Sequence, residues 1–175
     1  MNALQKGLLF AGLQVALVSS LGAKLLWDRG HFPRGWAVTR SYDPEALIRG
    51  RYAYISLLVK ADKVFPELSQ QPPAPARGYG SQNVYLTVEN GRVVANPADH
   101  VTGLTVSGPE WQGEEKLATL YPPVVFFLPE HVADPARPGR NATLFVEVTI
   151  PRKGPPRPIR LAIQRDKTFT PLEIK

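Results

Sequence analysis

From Gly7 to Ala23 the chain runs seventeen residues without a charge, and after Lys24 the apolar character resumes through Leu25, Leu26 and Trp27. As a helix rising ~1.5 Å per residue this stretch spans about 30 Å, the thickness of a bilayer's hydrocarbon core. The pattern predicts an N-terminal transmembrane anchor over residues 1–27, with Lys24 extending its ammonium to the interface. Trp27, Phe32 and Trp36 follow at headgroup level, where aromatic rings are best accommodated. The competing expectation is a cleaved secretory signal, with Lys6 as its positive start and Ser20-Leu21-Gly22 as small residues at cleavage positions.

Past the anchor the periodicity changes. Residues 28–36 (Asp-Arg-Gly-His-Phe-Pro-Arg-Gly-Trp) read as a linker punctuated by glycine and proline, and residues 37–175 as one extramembrane domain. In that domain apolar positions recur every second residue, the mark of a half-buried strand. Val84, Leu86 and Val88 alternate with Tyr85, Thr87 and Glu89, and Asn90-Gly91 then predicts a tight type I′ hairpin into Arg92–Ala95. Leu144, Val146, Val148 and Ile150 form a second such row, and Ile159, Leu161 and Ile163 a third. The Pro151–Pro156 segment between them is the tip of a long hairpin. A strand is expected from Tyr52 to Val59, and Val124–Leu128 reads as a strand buried on both faces. A closing strand near Phe169–Ile174 is placed at an edge by Pro171. Gln70–Gly80 reads as an extended loop, and Glu130–Asp134 as one helical turn within the loop 129–139. The fold expected is mostly β: an antiparallel β-sandwich or barrel-like domain with long loops, preceded by one transmembrane helix.

Composition narrows this further. Eighteen prolines and fourteen glycines oppose a helical bundle, and 43 % hydrophobic residues suffice for a core. The absence of cysteine removes disulfides, thiolate zinc sites and cysteine nucleophiles from this chain. The +6 net charge is uneven, since residues 1–136 carry twelve Lys/Arg and twelve Asp/Glu, but residues 137–175 carry nine against three. Charges flanking the anchor, Lys6 on one side and Lys24, Arg29 and Arg34 on the other, slightly favour a cytoplasmic domain by simple count.

Candidate chemistry is sparse. His31, His100 and His131 are separated from one another and from suitably spaced carboxylates, whereas a metal site needs three or four converging ligands. No Gly-x-Ser-x-Gly elbow or Ser-x-x-Lys pair occurs, and Gly78-Tyr79-Gly80-Ser81 lacks the lysine of a phosphate cradle. Glu114 and Glu115 are adjacent, so a strand would point them to opposite faces. Neither a catalytic, a cofactor nor a metal site is expected.

Contact residues are more legible. Gly12, Ala16 and Ser20 lie four apart on one helical face and would let a partner helix approach. Arg152, Lys153, Arg157 and Arg160 make the second hairpin basic, a contact for anionic lipid or an acidic partner, or a solvated tip. No aromatic residues are interleaved with them, which argues against nucleic acid.

Asp43-Pro44-Glu45-Ala46-Leu47-Ile48-Arg49-Gly50-Arg51-Tyr52 resembles the lead-in and motif of the bacterial membrane-anchored GDYXXLXY family. Gly50 and Tyr52 match, and Ile55 stands for the leucine. Arg51 replaces the aspartate and Leu57 the final tyrosine. Asp43 and Pro44 also suit the N-cap and first position of a helical turn. The resemblance implies a bacterial inner-membrane protein with a periplasmic domain, against the charge count above.

The leading expectation is a non-enzymatic accessory or scaffold subunit that docks against larger integral membrane proteins within the bilayer. One alternative is a sensor with a ligand pocket among Tyr52, Tyr54 and Tyr85. Another is a hydrolase using Ser56 or Ser81 with Lys60 or Lys63. The anchor itself is testable: after alkaline carbonate washing the chain stays in the membrane pellet at its full mass, whereas a cleaved leader would release a shorter, soluble protein.

Overall fold

A computed structural model describes residues 2–41, 52–66, 80–112, 115–127, 142–165 and 168–172. The chain divides into two units, residues 1–32 and 33–175. Asp43, Pro44, Leu47 and Gly50 of the family motif, the 70–79 loop, the 129–139 segment, Glu114 and His131 lie outside the described residues.

The first unit is one helix, α1 (Ala3–His31), 29 residues long. At its start the backbone N–H of Asn2 donates to Gln5 Oε1 at 3.0 Å, supplying one of the partners a helix end lacks. Apolar side chains point out on every side, and Leu8, Phe10, Leu13, Val18 and Leu26 are all exposed. One helix of this chain is thus long and apolar enough to cross a membrane. The stretch read as linker from residue 28 is shared between elements. The helix continues to His31 because nothing before Pro33 forbids it, and Phe32 turns extended, as the residue before proline must.

The second unit is β-rich, with strands β1 (Arg34–Ser41), β2 (Tyr52–Lys60), β3 (Gln82–Glu89), β4 (Arg92–Pro97), β5 (Thr105–Gln112), β6 (Glu115–Phe127), β7 (Ala142–Thr149), β8 (Arg157–Arg165) and β9 (Thr168–Pro171). Strands β1 to β6 form a closed barrel, from which β7, β8 and β9 continue as an extension. Most neighbours are antiparallel. The barrel closes through two short parallel contacts, Trp36 beside Arg92 and Lys60 beside Val94, and through antiparallel pairing of Val38–Ser41 with Ile55–Leu58.

The predicted hairpins form as expected. Asn90 (φ 50°) and Gly91 (φ 74°) take the two left-handed positions of the β3–β4 turn, and β7 and β8 pair from Ala142 to Thr149. Among the described strands, β9 bonds to β8 alone and is an edge. Val124–Phe126 departs from expectation: Val124 and Phe126 are buried, but Val125 is 44 % exposed, because a barrel strand faces solvent on its outer side. Strand β5 and the first half of β6 are interrupted rows. Gly108-Pro109 falls between the pairs Ser107–Thr119 and Glu110–Leu117, and Tyr121-Pro122-Pro123 stands opposite Ser56 as a bulge.

Inward side chains make the main core, including Leu57, Val59, Val84, Val106, Leu120, Val146 and Leu161. On the opposite pleat face Val38, Leu58, Leu117, Phe145 and Ala162 form a second, smaller cluster. Gly35 sits where β1 meets the β3–β4 hairpin, and a Cβ there would lie 3.1 Å from methyls of Val88 and Val93. The turn after β2 folds over one end of the barrel and buries Phe65.

Two substitutions test this arrangement. Leu57→Ala should lower the unfolding free energy of the domain by about 2–5 kcal/mol and Gly35→Val by about 1–3 kcal/mol. Leu9→Ala on the anchor should leave the domain transition unmoved, as read by thermal melting of the detergent-solubilised chain.

Candidate functional site

The polar side chains that the domain gathers lie at the end of the barrel closed by Phe65, where β2 and β3 end and β4 and β6 begin. Strand pairing brings them there. Glu89 is opposite Arg92 across the tight turn, and Lys60 is opposite Leu117, two residues from Glu115. A pocket of about 170 Å³ results, lined by Lys60, Asp62, Lys63, Glu89, Asn90, Arg92 and Val94.

Its cations are already paired. Lys63 Nζ meets Glu89 Oε1 at 2.5 Å, and Glu115 spans two partners, Lys60 Nζ at 3.1 Å and Arg92 Nη2 at 2.9 Å. A small anion would have to displace a carboxylate to enter. Beneath the pocket, Lys116 is 3 % exposed and donates from Nζ to the Phe65 carbonyl at 2.6 Å, tying the capping turn to β6. Chemically this end is an internally neutralised lattice, suited to holding the turn in place.

Arg92 also leads out of the pocket onto the outer face. Its guanidinium lies 5.3 Å from the centre of the Phe145 ring, and Phe169 packs edge-on against both Phe145 (5.5 Å) and Trp36 (4.8 Å). Arg160 stands 5.4 Å over the Trp36 ring and donates from Nε to Glu147 Oε2 at 2.6 Å. These rings hold the edge strand β9 on the sheet, since each such contact contributes roughly 0.5–1.5 kcal/mol beyond its area. A further ion pair, Arg40 with Glu110, joins β1 to β5.

The residues singled out from sequence distribute as follows. Gly12, Ala16 and Ser20 are all exposed on α1, and the Ser20 hydroxyl donates to the Leu17 carbonyl at 2.8 Å. Tyr52 opens β2 opposite Phe127, and Ile55 is buried in the main core. The four basic residues of the β7–β8 hairpin separate into two groups. Arg152 and Lys153 are exposed at the tip and Arg157 is exposed at the start of β8, whereas Arg160 is engaged by Glu147 and Trp36. The aromatic residues absent from the basic run in sequence come from β1 and β9. Only the pairing of distant strands could reveal them.

Among the described side chains, the residues of the alternative sites are spread over the domain. Ser56 and Lys60 are four residues apart on one strand, so ~13 Å separates them. Ser81 precedes β3, whose other end at Glu89 meets Lys63, placing serine and lysine a strand length apart. Tyr54 and Tyr85 are 45 % and 50 % exposed on the outside of the barrel, and neither lines the charged pocket. Among the described residues no group of three histidine or acidic side chains could hold a metal ion. His31 instead stacks on Trp27, with ring centres 4.0 Å apart, and its Nδ1 lies 3.0 Å from the Trp27 carbonyl oxygen.

Compared with protein-family models, with curated proteins and with solved structures, the chain matches none.

The lattice yields a graded prediction. Glu115→Gln should cost no more than about 1 kcal/mol, with the difference shrinking at high salt, because its pairs are partly exposed. Lys116→Ala should cost more, about 1–3 kcal/mol, by stripping a buried carbonyl of its donor. Urea unfolding at two salt concentrations separates the two.

Proposed function

We propose that this protein is a non-enzymatic, single-pass accessory or scaffold subunit of a bacterial membrane-protein complex. In this reading α1 is retained in the inner membrane and the β domain is held on the periplasmic side. One observation carries the reading: a 29-residue helix with a long apolar stretch that leaves its large hydrophobic side chains uncovered. In water such a surface would be costly at about 25 cal/mol per Å², and lipid removes that cost.

The small-residue face at Gly12, Ala16 and Ser20 supports a neighbouring helix as partner, since backbones approach closely where side chains are small. The nature of the polar clusters supports a role in attachment. Their lysines, arginines and carboxylates neutralise one another, and the separated serines and lysines give no activated nucleophile among the described residues. The motif resemblance at Asp43–Tyr52 supports a bacterial, exported domain.

Purification of a C-terminally tagged chain from its native membrane in mild detergent should bring down a larger integral membrane protein. Gly12→Leu with Ala16→Leu should weaken that recovery while leaving the chain in the membrane. Isolation of the chain alone and monodisperse would sink the proposal. For the topology, protease added to spheroplasts should digest the β domain without lysis, and protection until lysis would place it in the cytoplasm.

A further inference from the structure

Strand β1 begins at Arg34, three residues after α1 ends at His31, so only Phe32 and Pro33, ~11 Å of chain at most, join the helix to the domain. Strand β7 runs antiparallel to β1 with Thr149 opposite Arg34, and the Ile150 N–H donates to the Pro33 carbonyl at 3.0 Å. Residues 151–156 therefore continue past the first residue of β1, beside Pro33, where the chain enters the domain. The segment they form, Pro151-Arg152-Lys153-Gly154-Pro155-Pro156, exposes Arg152, Lys153, Gly154 and Pro155.

We propose that this overshooting hairpin tip is a membrane-surface contact, in which Arg152 and Lys153 engage the phosphates of anionic lipid headgroups. The inference rests on the reading of α1 as a retained anchor and adds to it a lipid contact for the domain. Charge complementarity supports it. Arg157 is exposed on the same hairpin, and Arg34 stands beside Thr149 at its base. Among the described residues, the carboxylates at this end of the barrel are Asp62, Glu89 and Glu115. Glu89 and Glu115 are engaged by Lys63, Lys60 and Arg92, which leaves the tip's own two charges unopposed on their segment. The prolines and the left-handed Gly154 (φ 88°) define the tip's shape, so little chain entropy is lost when it meets a surface. Each basic residue brought to an anionic surface favours the bound state about fivefold, so the pair favours it roughly thirtyfold.

The chain contains no cysteine, so one introduced thiol reports one position. Full-length Pro155→Cys, at the tip, and Val101→Cys, exposed beyond the other end of β4, are labelled with a fluorophore. Each is reconstituted into phosphatidylcholine vesicles with or without phosphatidylglycerol, carrying a nitroxide quencher on the headgroups. The expected result is strong quenching of the tip label in the anionic vesicles and weak quenching at position 101. Tip quenching should fall when salt rises from 0.1 M to 1 M, which shortens the screening length from about 10 Å to about 3 Å. Arg152→Gln with Lys153→Gln should reduce the ratio of surface-bound to unbound tip by roughly thirtyfold, while circular dichroism and incorporation into vesicles stay unchanged.

Equal quenching in the two lipid compositions, or quenching indifferent to the double substitution, would overturn the proposal. So would a tip label unquenched in vesicles that hold the chain. A chain that fails to float with the vesicles at all would overturn the anchor reading, and this inference with it.

Discussion

Strand β1 is the element on which the rest of the domain depends, because it bonds to three different strands. Its first half pairs with β7 and touches β4, and its second half pairs with β2. A barrel whose last two strands met directly would leave β7, β8 and β9 without a ladder to join, and every unpaired backbone group in a buried sheet costs stability. The placement of β1 meets both needs. It fills the seam between β2 and β4, and it offers its other side to the extension. The requirement for close approach explains Gly35, and the same crossing brings the Trp36 N–H to the Gly91 carbonyl at 2.8 Å.

β1 is flanked by strands at both edges, and side chains on both of its pleat faces pack into clusters. Ala37 belongs to the main core, while Val38 and Trp36 belong to the outer cluster with Leu58, Leu117, Phe145 and Ala162. The outer cluster is roofed by long, charged side chains that place methylene or guanidinium groups over the rings, as Arg92 and Arg160 do. Their charges are then answered by Glu115 and Glu147, so burial of the rings and pairing of the charges are two parts of one packing solution. This is why the density of charge at that end of the domain signals construction before chemistry.

Much of the fold was legible in the chain where a row of alternating residues ran unbroken. The β3–β4 hairpin, with Asn90-Gly91 at its turn, and the β7–β8 hairpin are of this kind, and so is the edge position of β9. The strands that escaped notice are β1, shadowed by the linker-like Gly and Pro around it, β5, broken by Gly108-Pro109, and the part of β6 before Val124, which holds Tyr121-Pro122-Pro123. β5 and β6 survive their interruptions as bulges because their partners hold the register on either side. The candidate site was less legible still, since Glu115, Lys60 and Arg92 come from three strands and no local spacing links them.

The linear order of residues by itself determined that an apolar N-terminal segment precedes a β-rich domain, because helix length, two-residue alternation and turn chemistry are all local properties. It likewise determined where the basic residues of the long hairpin fall. Tertiary structure alone decided that six strands close into a barrel with three more appended, which carboxylate answers which cation, and that the basic tip extends past the point where the chain enters the domain. These depend on pairings between residues more than a hundred positions apart, such as Thr39 Oγ1 with the Leu144 carbonyl at 3.0 Å. Such contacts are selected by the shared burial of whole faces, which no short window of sequence contains.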